Sequence, residues 1–407
     1  MNQNEIWLVA VTAGRWQKHG IDEAKRAGLK IIAVDADAAA EGSQIADIFL
    51  CIDINNHDEI IRTIGRLGKN VRGAVSFCSE AGMLLAARIR EEFQLPGPKL
   101  ALCRRLFDKA TQRRIWTEAG VPGPIWKVCR SYEEAKIEIK SFGFPLIIKP
   151  TDSSGSRGVT KIESLKDDIE SAIELAFQFS KSGEVLLESF MDGIEFTVEV
   201  FGTGEDVYVL AVTEKKKVPG TRGTVAYELA TPDRPNEILD RISGAVVDAF
   251  KALSYTEGPG HAEAILKKDG SVGLVEVAGR GGGFMVFDKL VPLASGVNIA
   301  RLTAIQSVGL ITGKIEKKSQ AVVLRFFPSQ PGRLLSVSGF EKANRIFGVE
   351  AGCFVKVGDI FGRAKADGDR LGYILSRAET PGAAQALADK AEQEVTFEFE
   401  PLPDQKV

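Results

Sequence analysis

The sequence predicts an α/β protein of several domains, with a parallel sheet near its N-terminus and antiparallel strands further on. Its 407 residues exceed what one ordinary core encloses, so two or three domains are expected. Strand-like and helix-like segments alternate through the N-terminal quarter, which is typical of a parallel sheet with crossover helices. From residue 207 onward strand-like segments follow one another directly, and this favours antiparallel pairing.

Composition and charge are those of an ordinary soluble protein, with 44% hydrophobic and 26% charged residues. A formal net charge of −3 offers no bulk attraction to nucleic acid or to an anionic membrane, so neither is expected as a partner. No apolar run approaches the ~20 residues of a membrane helix, and the apolar N-terminus lacks the basic segment of a signal peptide. The five cysteines form no CxxC pair, which indicates a reducing compartment. We expect a cytoplasmic protein.

The first domain is predicted from short strand and helix signals. EIWLVAV and KIIAVDAD are strand-like, and the helical segment GIDEAKRAGL between them closes at Gly28. The turn TAGRWQKHG after the first strand has no GxGxxG pattern, although Asp35 could imitate the ribose-binding acid of a dinucleotide domain. A scaffold sheet without cofactor is therefore favoured.

The central and final regions carry clear helix and strand signals. The breakers at 96–98 mark a boundary, and Asp108 is predicted to cap a helix that runs to Gly120. A strand FPLIIKP, a small-residue loop and a helix over 167–181 follow, and a longer helix is predicted near 236–253. Beyond residue 314 the strand QAVVLRFF, the helix AAQALADKAEQ and the strand VTFEFEP predict a small α+β region.

A hairpin is predicted where Asp269-Gly270 joins two apolar strands. A two-residue type I′ turn at this dipeptide pairs Lys268 with Ser271 and places Glu263 directly opposite Glu276. The two Cβ atoms would then lie ~4.5–5.5 Å apart on a largely buried sheet. Opposed carboxylates repel and are costly to desolvate, and Mg²⁺ or Mn²⁺ bound together with substrate phosphates removes that cost. In the alternative interpretation the hairpin is exposed and its acids pair with lysines at the turn.

A second group of residues is suited to phosphate. The loop DSSGSRG, residues 152–158, lacks the Walker pattern but its small residues can present backbone N–H groups to phosphate oxygens. Lys149 ends a buried strand beside this loop and needs an anionic partner. Lys109 lies in the first turn of its helix, where an acid would be preferred. Alone, the loop could be a plain turn and Lys109 a solvated surface lysine.

In order and spacing these pieces resemble the ATP-grasp superfamily. The resemblance rests on Lys109 before EAGVPGP, on IIKPTDSSGSRGV, on the hinge ESFMDGIE, and on the two hairpin acids. It implies an N-terminal Rossmann-like domain over 1–98 and an ATP-grasp domain over 99–314 with a lid at about 122–190. Residues 315–407 resemble the C-terminal domain of the L-amino acid ligase branch.

The resemblance also assigns roles to individual residues. Lys109 and Lys149 would contact the ATP phosphates, Glu195 the ribose, and Glu263 and Glu276 the Mg²⁺ or Mn²⁺ ion. The remaining ATP-binding residues are the loop members Ser153, Ser154, Gly155 and Ser156, and, at the adenine, Glu188, Ser189, Phe190 and Met191.

The chain departs from many relatives two residues after the second acid, where Ala278 replaces an asparagine. The form EVAGR is similar to that of L-amino acid ligases and implies that Arg280 stabilises the γ-phosphate and a tetrahedral oxyanion. His261 lies two residues before Glu263, on the same strand face, as either a phosphate-contacting cation or a packed histidine. The basic loop from Lys215 to Arg222 and Tyr227 could line the substrate site or be solvated.

The resemblance implies an ATP-dependent carboxylate–amine ligase that makes an acylphosphate from a small carboxylic or amino acid. Its partners would be a small acid and an amine, and a homodimer is possible. A bicarbonate-activating relative of purine or biotin type is the main alternative, and a non-catalytic ATP-binding regulator is a further one. An NAD-dependent oxidoreductase is disfavoured because the glycine fingerprint is missing.

Overall fold

The computed structural model describes residues 5–221, 225–310 and 313–401. Its N-terminal part holds a parallel four-stranded sheet in the order β3-β2-β1-β4, which confirms the predicted alternation of strands and crossover helices. The elements are β1 (Trp7–Val11), α1 (Arg15–Arg26), β2 (Lys30–Asp35), β3 (Ile48–Cys51), α2 (His57–Arg66), β4 (Val71–Val75) and α3 (Glu80–Glu92).

Helix α1 begins five residues earlier than the sequence predicts, so the interpretation of TAGRWQKHG as a turn is wrong. Gly20, where the helical segment was predicted to begin, lies inside the helix. A Cβ atom at this position would come within 2.3 Å of the Phe77 ring, so the glycine serves a close packing contact. Asp35 accepts backbone N–H bonds from Ala13 and Asp37, at 2.7 and 3.0 Å, and so orders the local turn.

A separate antiparallel sheet, in the order β5-β8-β6-β7, follows the helices α4 and α5. The Asp108 carboxylate accepts from the Thr111 N–H at 2.6 Å and Gly120 ends α5 in a left-handed conformation, which confirms both predicted caps. The elements are α4 (Leu100–Phe107), α5 (Lys109–Ala119), β5 (Trp126–Cys129), α6 (Tyr132–Glu138), β6 (Leu146–Pro150), β7 (Thr160–Ile162), α7 (Ile169–Phe179) and β8 (Val185–Ser189).

The largest sheet has eight antiparallel strands in the order β13-β12-β9-β10-β11-β14-β18-β16. Its first five strands along the chain are β9 (Gly193–Thr203), β10 (Val207–Lys217), β11 (Ala226–Ala230), β12 (Glu257–Lys267) and β13 (Val272–Ala278). The same stretch of chain forms the helices α8 (Asn236–Ala252), α9 (Val291–Ser295) and α10 (Ile299–Ser307).

The C-terminal elements complete this sheet and add a three-stranded one in the order β17-β15-β19. They are β14 (Ala321–Pro328), β15 (Gly332–Ser338), α11 (Phe340–Ala343), β16 (Val349–Cys353), β17 (Ile360–Phe361), β18 (Arg370–Ala378), α12 (Pro381–Glu394) and β19 (Thr396–Glu400). Because β11 pairs with β14, the large sheet continues across the predicted boundary at residue 315. No helix in the described parts of the chain is long and apolar enough to cross a membrane.

The hairpin of β12 and β13 confirms one part of its prediction and corrects another. The Lys267 N–H donates to the Ser271 carbonyl at 2.8 Å, so the turn holds three residues and the predicted pairing of Lys268 with Ser271 is wrong. Near the turn the register is therefore offset by one residue. A bulge at Val275 removes the offset, and Glu263 pairs with Glu276 as predicted.

Candidate active site

A cavity of about 970 Å³ lies between the β5–β8 sheet and the eight-stranded sheet. Its volume is at the upper end of the range for small-molecule sites. The 152–158 loop and β6–β8 form one side, and strands β9, β10, β12 and β13 form the other. Residues that are far apart in the sequence therefore face one another across a single space.

The cavity brings together thirteen of the fifteen residues that the sequence singled out. They are Lys109, Lys149, Ser153, Ser154, Gly155, Ser156, Glu188, Ser189, Phe190, Met191, Glu195, Glu263 and Glu276. The other two, His261 and Arg280, are not among its lining residues.

The two hairpin acids are each neutralised by a lysine from another element. The Glu276 carboxylate lies 3.1 Å from the Lys109 ammonium, and the Glu263 carboxylate lies 2.8 Å from that of Lys215. Burial alone would raise both carboxyl pKa values, but the neighbouring ammonium groups hold each below its ordinary value. The alternative of an exposed hairpin with turn lysines is wrong, because the Lys268 ammonium bonds Asp192 instead, at 2.6 Å.

Lys149 and Glu188 form a buried ion pair. The Lys149 ammonium lies 2.7 Å from one Glu188 oxygen, and the Arg113 Nε donates to the other at 2.6 Å. Burial lowers the pKa of Lys149, while Arg113 and Lys149 keep the pKa of Glu188 low against the opposing effect of burial. Both Glu188 oxygens thus have cationic partners, which differs from the free adenine-binding carboxylate that the resemblance implied.

Glu195 bonds two lysines of β10. Its carboxylate lies 2.7 Å from the Lys215 ammonium and also pairs with Lys217. Burial opposes the charge on Lys215, but Glu195 and Glu263 together raise its pKa well above the ordinary value. Lys215 is therefore a cation shared between the predicted ribose and metal residues.

Part of the segment that was predicted as a basic loop belongs to a strand. Lys215, Lys216 and Lys217 belong to strand β10, and Arg222, the last residue of that prediction, lies outside the described residues. Alternation along the strand turns Lys216 away, toward Glu228 at 2.8 Å. The Tyr227 hydroxyl donates to Glu392 of α12 at 2.8 Å, and Tyr227 is not a lining residue of the cavity.

His261 and Arg280 lie beside the cavity, toward the N-terminal part. The His261 Nδ1 bonds the buried Glu199 carboxylate, which also accepts from the Gly282 N–H at 3.2 Å. Burial alone would lower the pKa of His261, but Glu199 raises it, so the imidazolium is favoured. Strand β13 ends at Ala278, so Arg280 does not continue it, and its guanidinium lies 3.9 Å from Glu80 of α3.

Arg113 and Glu199 were not predicted from the sequence, and neither was the pairing of Lys215 with Glu195 and Glu263. Arg113 lies four positions after Lys109, on the same helix face, which is a signal that spacing alone offers. Glu199 shares a strand face with Glu195 and is the cross-strand partner of His261. That pairing depends on the register of β9 with β12, for which the sequence gives no turn signal.

The residues present suit Mg²⁺ bound together with a phosphate substrate. No group of three or more His, Cys, Asp or Glu side chains within the described ranges could hold a metal by itself. Glu263 and Glu276 supply two opposed, ionised carboxylates. Mg²⁺ is often bound by one or two protein carboxylates together with phosphate and water oxygens.

Comparison with known proteins identifies two parts of the chain. Residues 142–288 match the family model of the ATP-grasp domain, and residues 325–400 match that of the L-amino acid ligase C-terminal domain 2. The chain therefore carries an ATP-grasp domain in its centre and a C-terminal part similar to that of L-amino acid ligases.

Three relatives illustrate the range of similarity. The Sinorhizobium fredii protein y4rH is 27% identical over 94% of this chain and 81% of its own length. D-alanine–D-alanine ligase from Bordetella pertussis is 30% identical over 46% of this chain, and the match spans 60% of that ligase, less than two thirds of its length. The crystal structure of L-amino acid ligase from Bacillus licheniformis superposes with a TM-score of 0.83 at 20% identity, over 98% of this chain and 100% of that one.

Proposed function

We propose that this protein is an ATP-dependent ligase that activates a small carboxylic or amino acid as an acylphosphate and joins it to an amine. The observation that carries the proposal is the pair Glu263 and Glu276, opposed and ionised, in a cavity that also holds Lys109, Lys149 and Lys215. This combination of two anions and three buried cations suits a metal–triphosphate substrate, whose own charges are of both signs.

The reaction divides into two steps. In the first, a carboxylate oxygen attacks the γ-phosphorus of ATP, a P–O bond forms, the bond to the β-phosphate oxygen breaks, and ADP leaves. In the second, the amine nitrogen attacks the acyl carbon, a C–N bond forms, and the C–O bond to phosphate breaks. The nitrogen loses a proton, and inorganic phosphate leaves with one oxygen of the original carboxylate.

The protein contributes position and charge to both steps. Lys109 and Lys149 hold the phosphates, and the loop 153–156 closes over them with its small residues. Glu263 and Glu276 would hold a Mg²⁺ ion, and this ion, when bound, would supply positive charge to the phosphoryl group that is transferred. Ser189, the last residue of β8, and the following Phe190 and Met191 provide the adenine surface, while Glu188 acts through Lys149.

Arg280 and His261 are assigned to the acid substrate. Neither residue is among the lining of the cavity, and the Arg280 guanidinium lies 3.9 Å from Glu80, the first residue of α3. Glu199 raises the pKa of His261, which favours a second positive charge near Arg280. Two cations at this place can stabilise a tetrahedral oxyanion as it develops.

A screen for phosphate release tests the proposal. The protein is incubated with ATP, Mg²⁺ and pairs of amino acids and amines, and both phosphate and the condensed product are measured. Acid-dependent ADP formation with one condensed product per phosphate supports it, and Glu276→Gln should abolish both. ADP formation that requires only bicarbonate would instead favour the carboxylase type, and absence of ADP with every pair would refute the proposal.

A further inference from the structure

Arg113 lies beneath the cavity and contributes no atom to its lining. It belongs to α5, the helix that begins at Lys109, and its side chain is only 1% exposed. A cation this deeply buried is costly unless it is paired and hydrogen-bonded. Its contacts therefore indicate what the position is for.

The Arg113 guanidinium contacts both sheets that enclose the cavity. Its Nε donates to the Glu188 carboxylate of β8 at 2.6 Å, and its Nη2 donates to the Val275 carbonyl of β13 at 2.5 Å. Among the residues that the structure describes, its buried Nη1 has no hydrogen-bond partner. The planar fork of arginine spans two acceptors in fixed directions, which a lysine ammonium cannot reproduce.

Val275 is the bulged residue that corrects the hairpin register. Without the bulge, the offset at the turn would place Glu276 on the opposite face from Glu263. Strand β13 is at the edge of its sheet, and α5 covers that edge with side chains. Beside Arg113, the Gln112 amide donates to the Val277 carbonyl at 2.8 Å and accepts from its N–H at 3.1 Å.

The contact between Arg113 and Glu188 changes the net charge around Lys149, where phosphate is expected to bind. Glu188 is shared by two cations, Arg113 and Lys149, so the three groups together carry one positive charge. If Arg113 were neutral, Glu188 would pair with Lys149 alone and the local charge would be zero. A phosphate entering the cavity would then lose part of the attraction that Lys149 exerts.

We propose that Arg113 is a positioning residue that sets both halves of the nucleotide site at once. It keeps the Val275 bulge in place, so that Glu276 faces Glu263, and it shares Glu188, so that Lys149 remains available to phosphate. The proposal rests on the proposed function, because it assumes that the cavity binds a metal–nucleotide. Arg113 itself contacts no reacting atom.

The test compares Arg113→Lys and Arg113→Met with Arg114→Met, a matched control on the exposed side of the same helix. Binding of Mg²⁺–ADP is measured by calorimetry, and amide hydrogen exchange is followed across 272–278. Loss of such an outer partner typically costs ~10–100-fold in metal affinity. We expect Arg113→Lys to weaken Mg²⁺–ADP binding about 10-fold and to accelerate exchange in β13, Arg113→Met to do more, and the control to do neither.

Each outcome decides the proposal. Folded Arg113 variants with wild-type Mg²⁺–ADP affinity and wild-type exchange would overturn it. If Arg113→Met fails to fold, Arg113→Lys decides, and failure of both assigns Arg113 a structural role only. If the wild-type protein itself does not bind Mg²⁺–ADP, the proposed function fails, and faster exchange in the variants still supports the positioning of β13.

Discussion

Two clusters of charge pack against the same eight-stranded sheet, and they differ in the cation at their centre. The cleft cluster lines the cavity and consists of Lys109, Lys149, Lys215, Glu188, Glu195, Glu263 and Glu276. The Arg325 cluster joins strands β11 and β14 to α12 and consists of Arg325, Glu228, Asp389 and Glu392.

In the Arg325 cluster one guanidinium satisfies three carboxylates. It donates to Glu228 at 2.6 Å, to Asp389 at 2.7 Å and to Glu392 at 2.5 Å, and its side chain is 4% exposed. Arginine binds such acceptors in fixed directions, which suits a permanent contact between a sheet and a helix. Nothing in this cluster faces the cavity.

In the cleft cluster the cations at the cavity are lysines, and they share their carboxylates. An ammonium is a compact point charge on a flexible stem, so it can exchange a carboxylate for a phosphate at small cost. Buried charge alone therefore does not identify a functional site. Lysines that border a cavity indicate such a site, whereas Arg325 and Arg113 hold the surrounding structure in place.

The largest expected effect is on activity in the cleft cluster. Glu276→Gln removes one of two opposed carboxylates and leaves Lys109 without its ion pair. Loss of a direct metal ligand should exceed the ~10–100-fold effect of an outer partner, so we expect ADP formation to fall more than 100-fold. Steady-state ADP release at several Mg²⁺ concentrations measures this.

Glu398→Gln is a matched control for that prediction, since Glu398 is an exposed acid on β19. Its activity should equal that of the wild type. Equal activity of both variants would remove the distinction between the two clusters.

The next effect is on stability in the Arg325 cluster. Arg325→Met leaves the fully buried Glu228 with Lys216, at 2.8 Å, as its remaining cationic partner. Breaking a buried ion pair typically costs ~3–5 kcal/mol, here toward the lower end because the charge stays partly compensated. We expect the free energy of unfolding to fall by about that amount, with activity per folded molecule preserved. Denaturant titration and active-site-normalised assays measure the two quantities, and a selective loss of activity would contradict the comparison.

The stability effect should also depend on pH. Burial would raise the pKa of Glu228, but bonds from Lys216 and Arg325 hold it below its ordinary value of 4.5. A carboxyl group whose pKa is lower in the folded than in the unfolded protein stabilises the fold at pH values above its unfolded-state pKa. This stabilisation is lost as the pH falls through its folded-state pKa. The difference in unfolding free energy between wild type and Arg325→Met should therefore be largest near neutral pH and shrink below pH 4.5. A pH-independent difference would show that Glu228 is not the partner responsible.

The smallest effect concerns the turn of the β12–β13 hairpin. Gly270 has a φ of +80°, and a left-handed conformation costs other residues ~1–2 kcal/mol, so Gly270→Ala should destabilise the protein by about 1 kcal/mol. The Val275 bulge lies between this turn and the two acids, so Mg²⁺–ADP affinity should not change. A large loss of affinity in thermal-shift and calorimetric measurements would show that the turn, and not the bulge, sets the register.

Local signals predicted much of the fold. The caps at Asp108 and Gly120 depend on neighbouring backbone groups, and the sequence alone identifies them. The start of α1 was predicted five residues late, at Gly20, and the packing reason for a glycine inside the helix, the Phe77 ring, lies far along the chain. Glu263 was matched to Glu276 although the turn was wrong, since the bulge compensates for the extra turn residue.

The candidate site was predicted in outline but not in its pairings. Thirteen of the fifteen residues that the ATP-grasp resemblance singled out line one cavity. The bonds from Arg113 to Glu188 and from Lys215 to Glu263 join elements whose relative placement comes only from tertiary packing. Contacts of this kind leave no periodic pattern in the sequence, so they could be identified only from the structure.

The central claim is that the cleft makes an acylphosphate, and transfer of an oxygen isotope tests it most directly. Amino acids labelled with ¹⁸O in the carboxylate are supplied with ATP, Mg²⁺ and an amine, and the inorganic phosphate is analysed by mass spectrometry. We expect one ¹⁸O atom in each phosphate that is released with a condensed product. With Glu276→Gln we expect neither labelled phosphate nor condensed product. Condensed product accompanied by unlabelled phosphate would contradict it.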